Sequence, residues 1–123
     1  MARAREIEVR KAEVLVEQFA RDARAAGLRT ERLTARAYNG NARYRTQITG
    51  WYLKRDRTIG ISTDGVFYVL STAGGFSARF SGVTLQPGEP MLALGRGARD
   101  GESMPLTDAL AGRLAAGNDW KPA

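Results

Sequence analysis

The sequence predicts an α+β fold: an N-terminal amphipathic helix, an antiparallel β-meander of about five or six strands and a short C-terminal helix, in one domain over residues 1–123. Three observations predict it. Apolar residues recur every three or four positions as far as Ala26; from Thr30 to Leu94 the period drops to two; and leucine returns at helical spacing in Leu106, Leu110 and Leu114.

Residues 6–27 form the first helix in this reading. Ala12, Leu15, Val16, Phe19, Ala23 and Ala26 share one face, while Glu6–Arg10 and Glu17–Arg21 are favourable i,i+4 pairs on the others. Gly27 supplies the stop. Ile7, Val9 and Val14 widen the apolar stripe beyond what one sheet face needs, which favours a homodimer. Leu33, Ala35 and Ala37 then alternate with Thr34, Arg36 and Tyr38, and Asn39-Gly40 is a strong hairpin signal. The run from Arg43 to Lys54 is rich in Tyr, Thr, Ile and Trp and predicts a long strand, with Gly50 marking a bulge or a close approach.

Arg55-Asp56 turns the chain into Thr58–Ser62, and Asp64-Gly65 turns it again into Val66–Leu70. That last run is apolar throughout and is expected to be the central strand, covered on both faces. Phe76–Phe80 is ambiguous, and short strands are expected near Val83–Gln86 and Met91–Leu94. The polar, glycine-rich segment Gly95–Glu102 leads into a helix over about 105–116, with Ser103 as N-cap and Pro105 in the first turn. Gly117 ends it. Residues 118–123 carry Trp120 but no pattern, and are expected to be a flexible tail.

Charge is unevenly distributed. Residues 1–57 hold 14 Lys+Arg against 7 Asp+Glu, and residues 58–123 hold 5 against 6, within a whole-chain net charge of +6. Arginine is far commoner than lysine, alongside abundant Ala and Gly. A GC-rich coding sequence produces that usage, and a bacterial source is expected. The asymmetry places any acidic partner on the first half of the chain.

The absences narrow the chemistry. With no His and no Cys there is no Ser-His-Asp or Cys-His apparatus, no conventional zinc site and no disulfide. Gly95–Glu102 has neither the GxxxxGK[ST] nor the GxGxxG pattern, and Asp100 and Glu102 do not follow EF-hand spacing. No carboxylate pair is placed as a catalytic couple. No catalytic residue, cofactor or metal site is therefore expected. No apolar run approaches the roughly 18 residues of a membrane span, and the first residues lack a signal-peptide core, so cytoplasmic residence without membrane association is expected.

One constellation carries a sharper expectation. A two-residue Asn39-Gly40 turn sets Arg36 opposite Arg43, Thr34 opposite Arg45 and Arg32 opposite Gln47, which places Arg32, Arg36, Arg43 and Arg45 on one sheet face. Like charges facing one another invite an anion. The plainer reading is a solvated face whose arginine stems lie over their neighbours. The leading functional expectation is a small non-enzymatic protein-interaction domain, an adaptor, regulator or chaperone-like protein. The alternative is a nucleic-acid-binding module using the four arginines, with Tyr38, Tyr44, Trp51 and Tyr52 nearby. An enzyme comes third.

Overall fold

A computed structural model describes residues 2–75, 77–94 and 103–123. Its elements are α1 (Ala2–Ala25), β1 (Glu31–Ala37), β2 (Arg43–Tyr52), β3 (Ile59–Ser62), β4 (Phe67–Val69), β5 (Ser71–Thr72), α2 (Ala78–Ser81), β6 (Ala93–Leu94), β7 (Met104–Pro105) and α3 (Leu106–Ala116). A single 3-10 turn follows over Gly117–Asp119. The α+β layout of helix, sheet and short C-terminal helix holds. Among the described residues no helix is long and apolar enough to cross a membrane.

The main sheet is mixed rather than wholly antiparallel, in the order β4-β3-β2-β1-β5. From β1 to β4 it is the expected meander. β5 then runs parallel to β1, with Arg36 opposite Ser71. One residue joins β4 to β5: the Leu70 N–H donates to the Thr58 carbonyl at 2.9 Å, and its carbonyl accepts from the Arg36 N–H at 3.0 Å. The single segment 67–72 thus bonds to both edges, and the sheet closes on itself as a small barrel. Val66–Leu70 is consequently not the central strand. That place belongs to β2, and the apolar run is covered only in part: Phe67 enters one core and Leu70 another, while Val69 is 52% exposed.

Two cores lie on opposite faces of β2. The larger one joins Ala12, Val16, Phe19, Ala20 and Ala23 of α1 to Trp51, Ile61, Phe67 and α3. The small α1 side chains let the helix approach closely, and Phe19 meets Trp51 edge-on at 5.7 Å. The turn at Gly65, with φ +86°, comes so near the helix that a Cβ there would lie 3.0 Å from the Glu17 Cα. The second core is the barrel interior: Leu33, Ile48, Tyr52 and Leu70. Gly60 lies on this face, and a Cβ there would sit 2.5 Å from the Leu33 Cδ1.

Elsewhere the sequence reading needs correction. α1 begins at Ala2, and Ala26 is exposed. Val83 makes only an isolated bridge to Thr46, and the short α2 begins within the ambiguous segment and ends one residue beyond it. Pro105, not Ser103, holds the N-cap position of α3, and no side chain caps it. Gly95–Glu102 lies outside the described residues. Residues 118–123 pack on the body. Asn118 Oδ1 accepts from the Arg29 N–H, Trp120 stacks on Tyr52 at 6.5 Å, and the Ala123 N–H donates to the Arg55 carbonyl.

Candidate functional site

The β1–β2 hairpin delivers the arginines. Arg36 faces Arg43 and Thr34 faces Arg45, as the Asn39-Gly40 reading requires. The connection is longer than two residues, however. The ladder ends where the Ala37 N–H donates to the Ala42 carbonyl, and the Tyr38 N–H turns instead to Thr72 of β5. Arg32 does not face Gln47; it lies opposite Thr49, because Thr46, Gln47 and Ile48 bulge opposite Leu33. The Thr46 hydroxyl holds this bulge by donating to the Leu33 carbonyl and accepting from the Ile48 N–H. Arg32 Nη1 donates to the Thr46 carbonyl, and Arg32 keeps the outward-facing side of β1 that it shares with Arg36.

Arg43 is half-buried and clasps the barrel seam. Its Nε donates to Thr34 Oγ1 at 2.8 Å, and its Nη2 donates to the carbonyls of Thr34 at 2.9 Å and Arg57 at 3.2 Å. The Tyr52 hydroxyl accepts from the Thr34 N–H at 2.9 Å, beside the stretch of β1 that β5 pairs with. Burial holds the Arg43 pKa below its ordinary value, the nearby Arg57 and Arg36 charges push the same way, and Tyr52 opposes them. Arg36 is fixed by the Gly40 carbonyl and by Asn41 Oδ1 at 2.7 Å. Among the described residues no carboxylate forms an ion pair with Arg36, Arg43, Arg45 or Arg57.

Arg57 is the member that sequence reasoning missed. Its φ of +59° makes it the one non-glycine residue with positive φ among those described. A side-chain-bearing residue adopts that conformation at a penalty, and such outliers gather at functional positions. The Arg55-Asp56 turn signal located the loop, but no local pattern distinguishes Arg57 within it.

Two other surfaces lie away from the hairpin arginines. On α1, Ile7 and Val14 are 52% and 45% exposed. Val14 borders a shallow groove of about 430 Å³ with Leu15, Leu92, Arg10 and Lys11. A larger cavity of about 620 Å³ separates the β2–β3 loop from α3, with Asp56 and Lys54 on one wall and Asp108 and Arg113 on the other. Arg113 is only 7% exposed. It donates to the carbonyls of Tyr52 and Gly117 and lies 4.5 Å from the Trp120 ring centroid. Burial lowers its pKa, against the attraction of Glu31.

Asp56 is held below its ordinary pKa: burial acts to raise it, but hydrogen bonds from Thr58 and the charge of Lys54 prevail. That arrangement maintains a carboxylate, not a general acid. Among the described residues no group of three or more potential ligands is placed to hold a metal ion. Comparison of the chain with protein-family models, with curated proteins and with solved structures finds no match.

Proposed function

We propose that this chain is a small non-enzymatic protein-interaction domain of the bacterial cytoplasm, an adaptor, regulator or chaperone-like protein. It docks its partner on the outer face of α1, and a second copy of itself is the favoured partner. The observation that carries the reading is the exposure of Ile7 and Val14 on a helix whose opposite face already fills the main core. Aliphatic side chains left open beside a groove are what an interaction surface presents.

Charge supports self-pairing. Residues 2–12 hold Arg3, Arg5, Arg10 and Lys11 against Glu6 and Glu8, whereas residues 13–25 hold Glu13, Glu17 and Asp22 against Arg21 and Arg24, a surplus of two positive charges in the first part and of one negative charge in the second. Two such helices packed antiparallel set the basic half of each against the acidic half of the other, as a two-fold interface requires. Light scattering is expected to give a mass near twice 13.4 kDa, and Val14→Glu is expected to return it to the monomer. A photo-crosslinker at position 14 in cells identifies the occupant. A wild-type monomer that also yields no adduct at position 14 rejects the reading.

A further inference from the structure

We propose that the barrel seam binds the phosphates of single-stranded nucleic acid through Arg36, Arg43, Arg45 and Arg57, with Tyr38 as a stacking surface for a base. This surface is separate from the α1 groove and does not rest on the interaction proposed there.

The seam gathers positive charge and holds it unbalanced. Arg36 and Arg43 face one another across the hairpin, Arg45 lies two positions further along β2, and the Arg57 main-chain carbonyl accepts from Arg43 Nη2 while the Arg57 charge acts on Arg43. Among the described residues none of the four has an ion pair. Like charges so placed repel, and an anion between them turns that repulsion into attraction.

Two of the four, Arg36 and Arg43, are also preorganised. Backbone carbonyls and Thr34 engage Nε and Nη2 of Arg43, while Gly40 and Asn41 engage Nε and Nη2 of Arg36. Each guanidinium is fixed in direction with its Nη1 donors outside those bonds. Fixed forks of this kind suit phosphate oxygens and lose little side-chain freedom on binding. Arg57 keeps its left-handed backbone with no turn chemistry that demands arginine there; a glycine would occupy it without strain.

Tyr38 decides the class of nucleic acid. It follows Arg36 by two positions at the hairpin tip and is 71% exposed. An exposed ring beside a phosphate-binding cluster can stack on a base only when that base is out of the duplex.

The test is fluorescence anisotropy with a labelled oligo-dT of about 20 nucleotides, long enough to span one small barrel. Binding is expected to weaken with salt, each phosphate contact adding about 0.7 to the slope of log K against log salt. Arg57→Gly is expected to weaken binding by about tenfold and to lower that slope by about 0.7. Because glycine relieves the backbone, its melting temperature should not fall, so the loss cannot be ascribed to unfolding.

Arg21→Ala removes one charge from α1 and is expected to stay within about twofold of wild type. Tyr38→Ala should weaken binding by at least about fivefold with the slope unchanged. The proposal is overturned by any of four results. These are no binding at low salt, equal losses in Arg57→Gly and Arg21→Ala, equal affinity for the matching duplex, or competition by polyglutamate as strong as by unlabelled oligo-dT.

Discussion

Trp51 and Tyr52 are neighbours in the chain and belong to different cores. Trp51 turns toward the helices, where it packs edge-on against Phe19 and donates its Nε1–H to the Leu28 carbonyl at 3.3 Å. Tyr52 turns into the barrel, where its hydroxyl meets the Thr34 N–H and its ring lies against Trp120. The first site is made mainly by burial of apolar area, with one hydrogen bond from the indole. The second is made by hydrogen bonds that must land on particular atoms, because a barrel of so few strands leaves a seam where the ladder is incomplete. One strand thus carries two kinds of stabilisation on its two faces.

The largest expected effect comes from the helix-packed side. Trp51→Ala should destabilise by about 3–5 kcal/mol, since it empties a fully buried site and strands the Leu28 carbonyl. A domain of this size has only about 5–15 kcal/mol in all, so denaturant titration should show a variant close to unfolding. A loss under about 1 kcal/mol would mean that α1 does not rely on this contact, and the distinction between the two cores would collapse.

Tyr52→Phe tests the other face and should cost less, about 1–3 kcal/mol, because it removes one oxygen and leaves the ring. The deleted hydroxyl leaves the Thr34 N–H without its acceptor and Arg43 without a neighbour that favours its charge. Amide exchange should quicken at Thr34 and Arg36, on the seam, while Val16 and Phe19 in α1 keep their protection. Uniform quickening would show the two cores opening as one unit.

What could be foreseen follows the same division. The inner face of α1 was legible at Ala12, Val16, Phe19 and Ala23, because burial against a flat surface imposes its own period. The Arg36–Arg43 and Thr34–Arg45 pairings were reached from a two-residue Asn39-Gly40 turn that does not form, and they hold because the longer 38–41 connection is centred on the same two residues. The closure was not. Ser71 and Thr72 have no period that announces a parallel return to β1, since the bonds join residues far apart in sequence. The bulge that moved Arg32 depends on one hydroxyl, Thr46, in a run that otherwise alternates regularly. Arg57 and Trp120 acquire their roles only once the loop and the tail meet the barrel, so no neighbouring residue signals them.

The smallest expected effect separates the two cores by pH. Asp56 Oδ1 accepts from the Thr58 N–H at 3.1 Å and from its hydroxyl at 2.7 Å. The Thr58 carbonyl in turn receives the Leu70 N–H that closes the barrel. Because the folded pKa of Asp56 lies below its ordinary value, the carboxylate adds stability at neutral pH. That contribution is retained above the unfolded aspartate pKa, around pH 4, and is lost as pH falls through the lower folded value. Asp56→Asn keeps an acceptor for Thr58 but has no charge to titrate. Protection of the Leu70 amide, as a ratio of wild type to Asp56→Asn, should therefore exceed one at neutral pH and approach a pH-independent value in acid. The Leu28 amide, which donates to Ala23 at the end of α1, should give a ratio that stays flat. A parallel decline at both amides would mean that the carboxylate supports the whole domain, and that the seam has no stability of its own to lose.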